Sequence, residues 1–321
     1  MSSDPEPVAH GPGDPWTALW RTRVLHSCST SALENYQGAV HRFWQARFAA
    51  LADGDVVVDI GTGNGAVALL AVQHALSRGI RLQVHGVDRA DVDPLRLPAW
   101  QALPHDAVHF HPKVACEQLP LADSSVTLLS SQYAFEYMDD DAMQAEVLRV
   151  LAPGGCAALV MHSSDSVVSA TLQQQLRAYE RVLGGGGIFE LCMAAIDRGD
   201  VPPAQDTPIG REVQALIALG AELPLADVLR QALRCVRDGL LRAEHEPGPA
   251  RATLNENLVA LRAQWQRQVD LQRAISTPAQ LQALAQRFEA SGCTTELAPL
   301  DEVDGQRLGW TLLVRPLPVD A

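Results

Sequence analysis

Apolar residues recur at three- and four-residue steps through residues 16–52: Trp16, Leu19, Trp20 and Val24, then Val40, Phe43, Trp44, Ala46, Phe48 and Leu51. That spacing predicts helix over this stretch. The pattern then changes period. Asp55–Ile60 is short, apolar and β-branched, as a strand covered on both faces is. It runs into Gly61, Thr62, Gly63, Asn64 and Gly65, and an apolar helix follows from Ala66 to Ser77, stopping before Gly79. Further strands are predicted at 82–88, 108–111 and 126–132, and a helix from Asp139 to Arg149 opens on three acidic residues that suit a helix N-terminus. Pro153-Gly154-Gly155 should break the chain before a fifth strand at 157–161. Strand alternating with helix is the pattern of a parallel sheet with right-handed crossovers.

The alternation stops at Ser166. From there to Ile275 the pattern is almost wholly helical, interrupted at Gly184–Gly187 and at proline-bearing breaks over 202–208 and 247–249. Thr207-Pro208 and Thr277-Pro278 each read as an N-cap followed by a first-turn proline. After a helix to Gly292, Thr294–Ala298 and Gly309–Val314 are strands joined by a polar connection around Asp304-Gly305. That link is too short for a parallel crossover, so the last strand must run antiparallel. The fold class expected is therefore α/β: a doubly wound, seven-stranded, mostly parallel sheet with an antiparallel last strand and a helical insertion. Its parts are a disordered Pro/Gly-rich tail at 1–15, N-terminal helices at 16–52 that cap the site, an α/β core at 53–165, the insertion at 166–275, and the end of the core at 276–321.

Charge and cysteine content narrow the function. The 321 residues carry 25 basic and 38 acidic side chains, a net charge of −13. Affinity for a phosphate backbone comes mostly from Lys and Arg, so nucleic acid is not expected as a partner. Lysine occurs once, at Lys113, among many arginines, a composition expected of a GC-rich bacterial gene. Six cysteines lie far apart with no CxxC pair, which reads as reduced thiols serving as small core residues. Neither a signal-peptide pattern nor an apolar run of about 18 residues is present, so a soluble cytoplasmic protein without membrane association is expected.

The chemistry concentrates where the first strand hands over to a helix. The three glycines allow tight turning and close approach of a ligand, and the helix start offers free N–H groups. Asp88, at the carboxyl end of the second strand, suits a carboxylate accepting from both ribose hydroxyls. The spacing is GxGxG, not the dinucleotide GxGxxG, and Asp59 just before it would repel a pyrophosphate while favouring a ligand with a positive group.

On DIGTGNG, HGVDRAD and the run from Cys116 to His162, the sequence resembles the class I S-adenosylmethionine-dependent methyltransferases, especially the group of ubiquinone and small-molecule enzymes. The resemblance covers roughly 55–162 and implies a methyl transfer to a small-molecule acceptor by in-line displacement, with S-adenosylmethionine as cofactor. It would place Asp59, Gly61, Thr62, Gly63, Asn64 and Gly65 along the cofactor, Asp88 and Arg89 at the ribose, Ala115, Cys116 and Glu117 at the adenine, and Ser131 and Gln132 at the end of the fourth strand. Ala115 and Thr127 depart from the family, which often has Asp at both positions.

Other residues keep two readings. His162, after the fifth strand, is a candidate general base or a plain strand-end cap. Glu136 and Tyr137 would contact substrate or fix their loop, and Tyr36 would fold over the pocket or simply pack. The set Trp16, Trp20 and Trp44 is core or an aromatic wall. His105, His109 and His111 invite a metal, but no acidic set is spaced to complete a site, and none is expected. The insertion is a lid over the acceptor or a homodimer contact. A nicotinamide-dependent oxidoreductase and a non-catalytic methyltransferase-like binding protein are the alternatives in other classes.

Overall fold

The computed structural model describes residues 14–28, 34–104, 106, 108–200 and 207–318. Of the tail expected at 1–15, residues 1–13 lie outside the described residues, as does the histidine at 105, while Asp14 and Pro15 are ordered as the cap and first residue of a helix, the Asp14 side chain accepting from Thr17 N at 2.7 Å. Two compact units divide the chain: Met1–Val167 with Ala274–Ala321, and Val168–Arg273.

The first unit is built on a seven-stranded sheet of order β3-β2-β1-β4-β5-β7-β6. The strands are β1 (Val56–Ile60), β2 (Gln83–Asp88), β3 (Val108–Pro112), β4 (Val126–Gln132), β5 (Leu151–Met161), β6 (Cys293–Asp301) and β7 (Arg307–Pro316). The first five pair in parallel, while β7 runs antiparallel to both β5 and β6. The order reverses beside β1, and open α/β sheets bind ligands at such a switch, outside the carboxyl ends of the strands.

Helices cover both faces. α1 (Pro15–Arg21), α2 (Gly38–Phe48), α3 (Ala66–Arg78) and the short α4 (Pro98–Gln101) precede β3, α5 (Asp140–Val150) links β4 to β5, and α11 (Pro278–Ala290) precedes β6. On one face Val57, Val84, Leu128 and Ala158 pack with Trp44, Phe48 and the apolar side of α3. On the other, Val58, Val87, Leu129 and Leu159 pack with Met143, Val147, Leu284 and Phe288 from α5 and α11. Thr277 and Gln280 form a reciprocal capping box at the start of α11, and Asp139 caps α5 through Ala142 N at 2.8 Å.

Three expectations need correction. Helix does not run through 16–52: α1 ends at Arg21, where the Thr22 hydroxyl caps the Leu19 carbonyl at 2.7 Å and Arg23 turns to φ +67°, and among the described residues the next helix starts at Gly38. Pro153–Gly155 does not precede the fifth strand but lies inside it. Leu151 pairs with Val126 and Cys156 already pairs with Leu128, so the extra residues bulge out of the ladder without ending it. Pro247 opens a helix where a break was expected, because a first-turn proline loses no hydrogen bond.

The second unit is helical: α6 (Val167–Leu183), α7 (Ile188–Arg198), α8 (Pro208–Glu222), α9 (Asp227–Ala243) and α10 (Pro247–Ala274). It has its own core, with Tyr179, Phe189, Leu216, Leu229 and Leu254 buried together. Gly239 lets α10 lie close to α9, since a Cβ there would sit 2.7 Å from the Leu254 side chain. No helix among the described residues is long and apolar enough to cross a membrane. Cys116, Cys192 and Cys293 are buried as expected of small core residues, whereas Cys28 is exposed.

Candidate active site

Strand register decides which side chains meet. Asp59 stands opposite Gly86 on β2 and Ser130 on β4, and Gln132 stands opposite Val160 on β5. Side chains two apart on a strand share a face. Asp59, Asp88, Ser130, Gln132 and His162 therefore form a polar row at the carboxyl edge, on the same face as Val57, Val84, Leu128 and Ala158. Ser131 falls on the opposite face, where its hydroxyl accepts from Phe135 N at 3.0 Å and shapes the turn after β4.

The glycine corner is backbone that side chains would disrupt. Gly61, Gly63 and Gly65 have φ of +61°, +53° and +80°, a region costly for other residues. A Cβ on Gly61 would lie 2.4 Å from Ala134, and one on Gly63 would lie 2.5 Å from the Trp20 ring. Asp59 holds the corner from below. Its carboxylate accepts from the Thr62 hydroxyl at 2.6 Å and from the Ser130 hydroxyl at 2.9 Å. Burial pushes its pKa up to about 7, Asp88 adds to the rise, and the two hydroxyls oppose it. Both oxygens are thus engaged within the protein.

Asp88 ties the corner to β2. One oxygen accepts from Gly63 N at 2.7 Å and the other from Ala90 N at 2.8 Å. The segment at Ala115, Cys116 and Glu117 hangs from the same residue, because Val114 N donates to the Asp88 carbonyl at 3.0 Å. Glu117 is already occupied: both its oxygens lie 3.0 Å from the Arg89 guanidinium. Cys116 is buried with its thiol held protonated, chiefly by desolvation. Thr127, where an acid was the family expectation, donates to Asp55 at 3.1 Å and pins β4 to β1.

Asn64 grips the end of α1 and the turn that follows it. Its side-chain amide donates to the carbonyls of Trp20 at 2.9 Å and Val24 at 2.7 Å. The segment after α1 brings His26 onto Tyr36, their rings 4.0 Å apart. Desolvation pushes Tyr36 upward, with Cys28, Tyr133 and Asp59 adding to it, and burial pushes His26 down to about 4.

The most developed cluster surrounds His162. Its ring Nδ1 lies 2.7 Å from Glu136 Oε1, and its backbone N donates to the same oxygen at 2.8 Å. Both side chains are buried, at 7% and 3% exposure. Tyr133 stacks on the imidazole at 4.2 Å, Tyr137 meets it edge-on at 6.4 Å, and Trp16 meets Tyr137 edge-on at 5.4 Å. Tyr133 is fixed by its own hydroxyl, which donates to the Leu308 carbonyl at 3.1 Å. Two buried polar atoms at this edge have no hydrogen-bond partner: Glu136 Oε2 and Gln132 Nε2. The amide orientation of Gln132 is set by Trp44, whose Nε1 donates to Gln132 Oε1 at 2.6 Å.

Tyr133 and His26 were not among the site residues expected from sequence, whereas Trp44 was weighed there as core or aromatic wall. Only the β4–β5 register could have pointed to Tyr133. His109 and His111 meet a third histidine across the sheet: His85 Nδ1 lies 3.1 Å from His111 Nε2. Among the described residues no group of three His, Cys, Asp or Glu side chains is placed to hold a metal. Burial and the neighbouring rings hold His85 down at about 4, and burial with His109 lowers His111 as well.

Residues 57–155 match a family described as a methyltransferase domain. No curated protein matches the chain. Among solved structures, geranyl diphosphate C-methyltransferase from Streptomyces coelicolor A3(2), in complex with Mg2+, geranyl diphosphate and S-adenosyl-L-homocysteine, is 20% identical, with 39% of this chain and 45% of that chain covered and a TM-score of 0.34. A putative methyltransferase in complex with the Haloferax volcanii Trm112 activator is 25% identical over 50% of this chain and 62% of that chain, TM-score 0.35. The YcgJ protein of Bacillus subtilis is 13% identical over 86% and 99%, TM-score 0.39. The chain spans less than two thirds of the length of the first two structures.

Proposed function

We propose, for a chain whose residues 57–155 match a family described as a methyltransferase domain, that it is an S-adenosylmethionine-dependent methyltransferase acting on a small-molecule acceptor. The observation that carries this reading is Asp88: a buried carboxylate at the end of β2 that accepts from Gly63 N of the glycine corner. That residue suits a vicinal ribose diol. The surrounding groups fit the rest of the molecule. The left-handed corner at Gly61–Gly65 packs against Ala134, Trp20 and Trp100 where Cβ atoms would sit, and the unpartnered Gln132 Nε2 is a donor awaiting an acceptor such as a carboxylate.

Asp88 would hold the ribose, the turn at Ala115–Glu117 the adenine, and the corner with Gln132 the amino-acid end. When bound, S-adenosylmethionine supplies a methyl group activated by a sulfonium whose leaving group is a neutral thioether. Alignment can supply about 7–11 kcal/mol of such a displacement when geometry is ideal. Half-buried aromatic rings, Tyr133, Tyr137 and Trp16, gather around His162, whose ring nitrogen away from Glu136 would take a proton from the acceptor.

The insertion leaves the first unit just after His162, and the strand-like bridge between Ser163 and Ser276 brings its two ends together. We assign it the selection of acceptor. Six unpaired cysteines suit a reducing compartment, which supports a cytoplasmic setting.

Calorimetric titration of the full chain with S-adenosylmethionine and S-adenosylhomocysteine tests the reading, with saturable one-site binding as the expected result. Binding of NADH in their place would return the oxidoreductase alternative, and binding of neither would leave a scaffold protein.

A further inference from the structure

A cavity of about 440 Å³ opens between α9 and α10, a size that admits a small molecule. We propose that it is a binding site for a phosphoryl group, carried by a small molecule or free as inorganic phosphate, with Arg234 as its principal anchor. Every described residue lining it belongs to the second unit, and none takes part in the methyl-transfer reading.

Helical spacing builds the groove. Leu229, Ala232, Val236, Gly239 and Ala243 recur at three- and four-residue steps along α9 and are buried. Gln231, Cys235, Asp238 and Arg242 each stand one position earlier, so they run along the rim of that stripe, with Arg234 beside them. Thr253 and Asn257, four residues apart on α10, form the opposite wall.

Charge pairing singles out Arg234. α9 carries four arginines. Arg230 pairs with Asp227, Arg237 with Asp238 at 2.8 Å, and Arg242 with Glu246 at 2.7 Å. Arg234 is exposed and has no ion-pair or hydrogen-bond partner among the described residues. Asp238, the one acid among the described lining residues, is neutralised by Arg237, so it does not cancel Arg234. Arg242 supplies a second guanidinium, whose Nη1 reaches Thr253 Oγ1 at 3.5 Å.

The remaining polar groups fit an oxyanion. Arg234 offers a planar fork of N–H donors, and Gln231 and Asn257 bring side-chain amides from the two helices. Donors that converge from two walls surround the tetrahedral oxygens of a phosphoryl group. A carboxylate, with both oxygens in one plane, is satisfied by a single fork and leaves the other wall unused.

Calorimetric titration of the full chain with inorganic phosphate and with glycerol 3-phosphate tests this, with glycerol and acetate as controls. Saturable one-site binding of both phosphoryl probes is expected, and none of glycerol. Tighter binding of glycerol 3-phosphate would identify a phosphorylated small molecule as the ligand, and tighter binding of inorganic phosphate the free anion. Arg234→Gln should weaken the Kd by about tenfold or more, because charge-assisted bonds are lost. Arg234→Lys should restore only part of that, keeping the charge without the fork. Asn257→Leu should weaken binding by about threefold or more from the other helix. Arg230→Gln, outside the lining, should leave the Kd unchanged. In the wild type, the Arg234 Nε–H resonance should shift as phosphate binds. Absence of saturable heat with both probes, equal affinity for acetate, or a loss in Arg230→Gln as large as that in Arg234→Gln would overturn the inference.

Discussion

Asp88→Asn probes the corner with almost no change of shape. In the wild type each carboxylate oxygen accepts one backbone N–H, from Gly63 at 2.7 Å and Ala90 at 2.8 Å. An asparagine has one oxygen, so whichever way its amide turns, one of these N–H groups confronts an NH2. A buried donor left unpaired costs about 1–3 kcal/mol, which the urea midpoint should register as a loss of stability. The loss in cofactor affinity is larger than shape alone suggests. Hydrogen bonds to a charged acceptor contribute about 1.5–3 kcal/mol each, and two ribose hydroxyls would lose that charge. Partial compensation by the remaining oxygen leaves an expected net loss of about 2–3 kcal/mol, or roughly 30- to 150-fold in Kd. Calorimetry with S-adenosylhomocysteine reads it directly, with circular dichroism confirming that the variant is folded. A folded Asp88→Asn protein with wild-type affinity would refute the placement of the ribose at this residue.

Three further outcomes are expected. Asp59, with its pKa raised to about 7 by burial, keeps a proton in the folded state that the unfolded chain has released above 3.8, so its contribution makes stability fall as pH rises across that window and level off above it. The effect amounts to on the order of 4 kcal/mol, and Asp59→Asn should remove this slope while Thr62 and Ser130 reorient their hydroxyls; parallel pH profiles for the two proteins would contradict it. Gly63→Ala should cost about 1–2 kcal/mol for the left-handed backbone and about 1–3 kcal/mol more for displacing Trp20, read by urea unfolding and a shift in tryptophan emission. Replacing 168–273 by a short linker between the bridged ends should leave S-adenosylhomocysteine binding measurable and abolish transfer; turnover unchanged by the deletion would exclude a role in acceptor selection.

The sheet was legible because its strands are short apolar runs set between helices, and period alone separates the two. Helix caps at Thr207 and Thr277 were legible for the same local reason. Residues 22–28 misled because Trp16, Trp20 and Val24 keep helical spacing, yet the chain turns at Arg23 so that Asn64 can hold the Trp20 and Val24 carbonyls. That contact joins residues forty apart and leaves no local trace. The glycine corner and Asp88 were visible as motifs, but the use of both Asp59 oxygens by Thr62 and Ser130 was not, since it depends on the β1–β4 register. The same holds for His162. Its place after a strand was evident, while the Glu136 contact and the Tyr133 stack required the loop after β4 to fold back over β5.

A crystal structure of the full chain with S-adenosylhomocysteine would examine the central claim most directly. The expected density has the ribose hydroxyls on Asp88, the amino-acid tail in the turn from Gly61 to Gly65, and the sulfur on the side facing His162. Density for the ligand elsewhere, or a phosphate in the accessible corner with the ligand absent, would contradict it.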